Sequence, residues 1–500
     1  MLKKIRVILA VLSILALTFC FVDFTGTAHQ YFGWLPKIQF LPAVLALNFV
    51  AIAILIVLTL VLGRVYCSVI CPLGILQDIF IRIRGKFKIN KKKKNRFGFK
   101  PEKRWLRITV LVLFIIMLAV PVTHFIASLI APYSAYGRIA NSLIAPVYDG
   151  VNNLLADYSE AHDSYTFYHI VPTAVPGIIT TIAILTLIIV GGLAFFAGRT
   201  YCNTICPVGT VLGYLSKFSM LKPYIDVSKC NGCTKCARNC KAECIDPKAH
   251  KIDYSRCVAC MDCLNNCSTG AIKYGLHSKK TVDKSCGTAA DKSRRAMLTG
   301  GLVLLGTSIA KAASEKLTDG GFTKIEGKEN DPDRKQIVPP GALSVSNFRD
   351  HCTSCQLCIA ACPNNVLRPS SDLDTLMQPV MGFENGYCRI ECNTCSNVCP
   401  AGAIKPIEKE ERTAISVGIA KVNRQTCLSA SQNVECGNCA RHCPADAIIM
   451  TEIKPEGGKN YILPVVNEAR CIGCGACENL CPVNPVSAIV VEGREIHKSL

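Results

Sequence analysis

Residues 230–240 read Cys-Asn-Gly-Cys-Thr-Lys-Cys-Ala-Arg-Asn-Cys, with cysteines at Cys230, Cys233, Cys236 and Cys240, and Cys257, Cys260, Cys263 and Cys267 repeat the same C-x2-C-x2-C-x3-C spacing. A loop with this spacing wraps one chain around an iron–sulfur cubane, because three thiolates reach three irons and the fourth, a little further along, reaches a second cluster. The spacing returns at Cys352, Cys355, Cys358 and Cys362 and at Cys471, Cys474, Cys477 and Cys481, each run followed by proline. Two relaxed versions lie between them: Cys388, Cys392, Cys395 and Cys399 open with x3, and Cys427, Cys436, Cys439 and Cys443 open with x8. C-x2-C doublets also build zinc sites, but there they stand apart across a long spacer, which these compact runs lack. Six runs of four use 24 of the 31 cysteines, enough for six [4Fe–4S] clusters. In a chain of 500 residues this is not a disulfide miniprotein. The first two runs lack the trailing proline, and Cys244 stands near enough to Cys240 to substitute as a ligand.

The net charge of +20 would ordinarily raise nucleic acid or a membrane surface as a partner. Its position decides between them. Residues 1–313 carry 37 Lys+Arg against 14 Asp+Glu, whereas residues 314–500 carry 19 against 22. The basic part also holds four apolar runs, residues 5–22, 40–63, 108–131 and 171–197, with Arg6 their one Lys, Arg, Asp or Glu, each long enough for a bilayer core of roughly 30 Å. Residues 64–107 carry 14 Lys+Arg, including the run 91–94, while residues 132–170 carry only Arg138 against Asp149, Asp157, Glu160 and Asp163. By the positive-inside rule the first of these loops is cytoplasmic and the second external, which also puts Lys3, Lys4 and Arg6 inside. The first run has the form of a signal peptide as well, but no small-residue cleavage site follows it, so it reads as an anchor. The charge is therefore topology, and no nucleic-acid partner is expected.

Four further cysteines form a second pattern. Residues 63–74, Gly-Arg-Val-Tyr-Cys-Ser-Val-Ile-Cys-Pro-Leu-Gly, and residues 198–209, Gly-Arg-Thr-Tyr-Cys-Asn-Thr-Ile-Cys-Pro-Val-Gly, match at eight of twelve positions with a constant offset of 135. Each follows an even-numbered apolar run, so the membrane part reads as two tandem helical hairpins about a pseudo-two-fold axis. Cys67 and Cys71, like Cys202 and Cys206, stand at i and i+4 on one helix face. The four thiols are candidates for a metal, a small cluster or a redox-active thiol set, while the bland alternative is that Cys and Pro shape the helix exit. Cys20 and Cys286 have no partner in sequence.

Between the ferredoxin-like regions, Arg294 and Arg295 precede an uncharged run at residues 296–310 that suits a signal segment better than a span. It resembles a twin-arginine export signal inside the chain, a route that carries folded, cofactor-loaded domains. The fold class expected is α+β multidomain. Residues 1–225 form a helical membrane domain of four transmembrane helices with a possible fifth, 226–276 a two-cluster ferredoxin-like domain, 277–345 a linker, and 346–500 a four-cluster ferredoxin-like domain on the periplasmic side.

On these residues the chain resembles two families joined end to end. Residues 1–276, with the two Cys-x3-Cys-Pro motifs and two cluster runs, resemble NapH-type membrane quinol dehydrogenase subunits and the membrane core of NosR-type proteins. Residues 293–500 resemble NapG/MauM-type exported ferredoxins. The resemblance implies a multi-pass protein of the bacterial inner membrane that passes electrons from quinol to a periplasmic oxidoreductase, nitrate reductase-like, through [4Fe–4S] clusters. It also implies that Cys230, Cys233 and Cys236 share a cluster with Cys267, and Cys257, Cys260 and Cys263 with Cys240. In the exported domain the expectation is that the first run exchanges its fourth cysteine with the last, and the two middle runs with each other. Competing functions are a maturation reductase for a partner metalloenzyme and electron input from a cytoplasmic ferredoxin. A quinol pocket needs a proton acceptor, for which His124 and the stretch 158–169 with Tyr158, His162, Asp163 and His169 are weak candidates beside an ordinary interfacial belt. Cys67, Cys71, Cys202 and Cys206 are expected at the cytoplasmic end, leaving roughly 30 Å of hydrocarbon uncrossed between the two sets of clusters.

Overall fold

The computed structural model describes residues 2–276 and 327–500, apart from positions 24, 87–96, 121–122, 165, 171–174, 433 and 454–460, together with the short strands Thr318–Asp319 and Thr323–Lys324. The segment carrying Arg294 and Arg295 lies outside the described residues, as do Cys286 and most of the linker.

Two of the four apolar runs are single helices, α1 (Leu2–Val22) and α8 (Gly177–Ala197), each of 21 residues. At 1.5 Å per residue each is about 30 Å long, and each exposes apolar side chains such as Ile8 and Leu12 or Leu185 and Ile188. The other two expected spans are broken. Residues 40–63 divide into a short turn of helix, Phe40–Leu45, and α2 (Phe49–Leu62, 14 residues). The break is made by Leu47 in the left-handed region and by Asn48, whose side chain caps α2 by accepting from Ala51 N. Residues 108–131 divide into α4 (Arg104–Ala119) and α5 (His124–Ile130), with Pro121 in the sequence between them. Among the described residues, then, two helices have spanning length and apolar composition, where four were expected.

The duplicated segments fold alike. Gly63 ends α2 at φ 72° and Gly198 ends α8 at φ 63°, a left-handed value that glycine adopts without Cβ strain. Each is followed by one tight turn of helix, Tyr66–Val69 or Tyr201–Ile205, and then by a helix beginning with proline: α3 (Pro72–Lys86) and α9 (Pro207–Leu215). The two tyrosines hold equivalent inserted segments. Tyr66 Oη donates to Gln39 Oε1 (2.9 Å) and accepts from Phe40 N (3.1 Å), while Tyr201 Oη donates to Ile130 O (2.6 Å). In the second half α5 therefore runs in to Tyr201, and α6 (Pro132–Ile139) runs back out. A π-helical turn, Ala140–Ile144, and α7 (Ala145–Glu160) follow.

The ferredoxin-like regions attach to opposite ends of α1. Near its N-terminus Lys3 pairs with Asp262 (2.8 Å) and Arg6 with Asp78 (3.0 Å). Near its C-terminus Ala16, Leu17, Cys20 and Phe21 share a core with Cys352, Cys355 and Cys358. Lys3 and Phe21 stand about 27 Å apart along the helix axis. The first region is closed by antiparallel β1 (Leu221–Ile225) and β2 (Ile272–Leu276). The second is organised by two antiparallel ladders, β3 (Ile415–Val422) with β6 (Ile489–Ser499) and β4 (Ile448–Ile453) with β5 (Tyr461–Val466).

Candidate metal centres

The cysteine loops share a backbone signature. The residue after the second cysteine is left-handed in five of the six runs: Thr234 (φ 57°), Met261 (60°), Gln356 (62°), Gly437 (116°) and Gly475 (81°). Asn393 in the x3 variant departs from it at φ −125°. This kink turns the chain so that the third cysteine, at the start of one helical turn, faces back toward the first two.

In the first region Cys230, Cys233, Cys236 and Cys267 line one small cavity, and Cys257, Cys260, Cys263 and Cys240 line a second. This is the sharing that the family resemblance implied. Cys244 lies in the second set, its Sγ 3.6 Å from that of Cys240, and its hydrogen bond holds the Cys240 thiol down at about 7. Burial pushes Cys260 up to about 12 and, in the second region, Cys474 up to about 11. A free thiolate there is costly, and a cluster that shares its charge relieves the cost.

The second region overturns the expected sharing. Cys388, Cys392 and Cys395 surround a cavity with Cys362, and Cys427, Cys436 and Cys439 surround another with Cys481. Cys399 is the electrostatic neighbour of Cys352, Cys355 and Cys358, and Cys443 that of Cys474. Consecutive runs therefore exchange their fourth cysteines, the first with the second and the third with the fourth. The reason is local: a short connection folds each neighbouring pair of loops back on itself, whereas exchange between first and last would have to cross the other pair. The two pairs meet where Cys388 N donates to Cys474 O (2.9 Å), beside the fully buried Arg412, whose Nη2 lies 3.5 Å from Cys388 Sγ.

Cys67, Cys71, Cys202 and Cys206 are each 4–5 % exposed and come together in one core. That core also contains Cys240 and Cys244, and the first region touches the motif directly: Arg199 N donates to Lys241 O (2.8 Å) and Asn203 Nδ2 to Ala242 O (3.2 Å). Among the histidines, His124 is buried at the start of α5 beside Asp350, His351 and Cys352. His162 bonds Tyr158 O (2.9 Å) at the surface, and half-exposed His169 pairs with Asp157 and Glu160, so that stretch is a polar belt. Cys20 packs in the core where α1 meets the second region. Sequence reasoning overlooked Asp78, a buried carboxylate on which Arg6, Arg199 and Lys241 converge at 2.7–3.0 Å. The signal was available, since Arg64 and Arg199 occupy the same place in both copies of the motif.

A chain with this many cysteine loops around enclosed cavities is a ferredoxin-type protein, and comparison agrees. Residues 44–90 and 179–224 each match a 4Fe-4S binding domain, and residues 351–404 and 434–484 each match a 4Fe-4S dicluster domain. These two dicluster matches cover the same neighbouring runs that the structure pairs, apart from Cys427, which precedes the second match. The chain belongs to the ferredoxin-type family that includes MauM. It is 35% identical over 166 residues to the methylamine utilization ferredoxin-type protein MauM of Methylobacillus flagellatus, covering 32% of this chain and 69% of that protein. It is 29% identical over 208 residues to MauM of Methylorubrum extorquens, 41% of this chain and 90% of that protein. With the ferredoxin-type protein NapF of Escherichia coli K12 the identity is 34% over 152 residues, 30% of this chain and 84% of that protein. No solved structure matches the chain.

Proposed function

We propose that this iron–sulfur electron-transfer protein carries electrons across the bacterial inner membrane, from quinol to a periplasmic oxidoreductase. The observation that carries this reading is the attachment of the two ferredoxin-like regions to opposite ends of α1, itself long enough to span a bilayer. On this reading Cys230, Cys233, Cys236 and Cys267, and Cys257, Cys260, Cys263 and Cys240, hold two clusters on the cytoplasmic side. The four sets in residues 346–500 hold four more outside, in the order Cys352, Cys388, Cys471, Cys427. The contacts support that order, since the Cys352 run packs on α1 and α6, Cys388 meets Cys474, and the Cys427 run shares its cavity with Cys481 of the last run. Each cluster supplies one-electron chemistry, and the protein places the clusters in line and buries them from water.

The test is anaerobic mixing of the cluster-loaded full chain with a quinol analogue, read by bleaching of the cluster absorbance. Bleaching supports quinol as the donor, and none sinks it. A second reading has a specific observation in its favour: Cys230, Cys233, Cys236 and Cys267 are all only partly buried at the tip of the first region, as suits electron input from a soluble ferredoxin. Reduced ferredoxin in place of the quinol analogue separates the two.

A further inference from the structure

Residues 44–90 and 179–224 each match a 4Fe-4S binding domain yet hold two cysteines apiece; we infer that Cys67, Cys71, Cys202 and Cys206 share a single [4Fe–4S] cluster on the pseudo-two-fold axis, and that this cluster joins the two sets of ferredoxin clusters. The inference deepens the electron-transfer reading and rests on it for the cluster's role, but not for its presence.

The four thiols share one core, and Arg64 and Arg199 each bridge the two halves that carry them. Cys71 interacts electrostatically with Cys67 and Cys202, and Cys206 with Cys202, Cys71 and Cys67. Two helix starts and two arginines beside them favour negative charge. Cys206 is the N-cap of α9 and its Sγ accepts from Gly209 N (3.3 Å), while Cys71 accepts from Gly74 N at the start of α3. Two helix N-termini therefore point at the set, a setting that stabilises thiolates. The two arginines cross the axis. Arg64 Nη2 lies 3.7 Å from Cys67 Sγ in its own half and 3.1 Å from Cys202 O in the other, while Arg199 Nη1 lies 3.9 Å from Cys202 Sγ and 2.8 Å from Cys67 O. Gln77 Nε2 adds a donor 3.3 Å from Cys202 Sγ. Gly74 and Gly209 make the crossing possible, since a Cβ on either would collide with the carbonyl that accepts from the arginine.

Charge then distinguishes a cluster from four neutral thiols. Arg64 and Arg199 are both fully buried. Arg199 has Asp78, which it shares with Arg6 and Lys241, but the position equivalent to Asp78 in the second half is Gly213. Among the described residues Arg64 has no carboxylate partner; it donates to Asn203 Oδ1 and Ser255 O. Buried cations thus outnumber buried carboxylates around the thiols, an arrangement that is costly unless an anion offsets it. A cubane held by four thiolates has a net charge of about −2 in its oxidised state and supplies that offset.

The position suits a relay. On one side Arg64 also acts on Cys257 of the first region. On the other stands α6: its Ala131 end, Ala135 and Ile139 share a core with Cys67 and Cys71, and its Tyr133, Tyr136 and Ala140 share one with Cys352 and Cys355. Tyr133 lies in the electrostatic reach of both Tyr66 and Cys355. α6 thus packs against both the core of the four thiols and the core of the Cys352 run. In the transfer step a reduced neighbouring [4Fe–4S] cluster loses one electron and the axial cluster gains it, then passes it to the cluster on its other side. No bond or proton moves.

The test is the iron and acid-labile sulfide content of the anaerobically purified full chain, with Mössbauer spectra to identify cubane iron. The intact protein is expected to hold about 28 irons rather than about 24, one cubane more than the six ferredoxin runs account for. The double variant Cys71→Ala/Cys206→Ala is expected to hold about four irons and four sulfides fewer, while Cys20→Ala keeps the full content. A count near 24 in the intact protein overturns the inference whether or not the variant folds. So does equal iron in the intact protein and the double variant, or a disulfide among these four cysteines in fully loaded protein. Failure of quinol to bleach the clusters leaves these counts untouched, so the two readings fail separately.

Discussion

Replacing Asp78 by Asn should detach the first ferredoxin region from the helical domain. The carboxylate is 6 % exposed and receives Arg6 Nη1 at 3.0 Å, Arg199 Nε at 2.9 Å and Nη2 at 2.7 Å, and Lys241 Nζ at 2.7 Å. These cations come from three separate parts of the chain: α1, the second copy of the motif, and the loop after Cys240. Each charge-assisted hydrogen bond contributes about 1.5–3 kcal/mol when taken singly, but bonds in one network do not add. Breaking a buried ion pair by removing one partner costs about 3–5 kcal/mol, because the remaining charges stay buried without compensation. We take about 4 kcal/mol as the expected loss for Asp78→Asn, with an amide left to accept what it can. The assay is a urea titration of the cluster-loaded protein in detergent, followed by cluster absorbance and by limited proteolysis after Cys267. Glu492→Gln is the control, since its pairing with Lys421 lies at the surface (Lys421 63 % exposed) and should change stability by less than about 1 kcal/mol. A loss for Asp78→Asn no larger than for Glu492→Gln would refute the view that this carboxylate binds the two domains together.

Other expectations follow from particular contacts. A Cβ on Gly137 would collide with Cys355 O and press on the Phe21 ring, so Gly137→Ala should separate the second region from α6, seen as a longer spin-label distance between them; Gly150→Ala, with open space around it, should leave it unchanged. Burial, with Arg412 nearby, pushes the His497 imidazole down to about 4. The unfolded chain binds that proton near 6.5, so stability of the second region should fall as pH drops from about 6.5 to about 4, by up to about 3 kcal/mol, and His497→Gln should flatten this slope in urea titrations. Arg412 sits 3.5 Å from Cys388 Sγ; Arg412→Gln should move the midpoint potential of that cluster negative in an EPR-monitored titration, with Arg412→Lys in between.

Much of the site was legible because cluster loops are local. The spacing of Cys230 to Cys240 sets which thiols face inward, and the loop needs only one left-handed residue, such as Thr234 or Gln356, to do so. The exchange of Cys362 and Cys399 was not legible, because it depends on how two loops fold together and the spacing of each loop alone is silent about it. The apolar runs 40–63 and 108–131 were misread for a similar reason. Hydropathy averages over Asn48, yet its cap and the end of α4 at Ala119 divide the runs, and short segments turn back to Tyr66 and Tyr201. The duplicated motif was visible as a repeat, but its pseudo-symmetric crossing by Arg64 and Arg199 required coordinates. So did the packing of α6 against both the core of these four thiols and the core that holds Cys355.

The central claim is that the two ferredoxin-like regions face opposite sides of a membrane while one chain of redox centres connects them. Protease treatment of sealed, right-side-out spheroplasts tests it most directly. Residues 346–500 should be digested while residues 226–276 survive until the membrane is permeabilised. Protection of both regions in intact spheroplasts would place all the clusters on one side and contradict the claim.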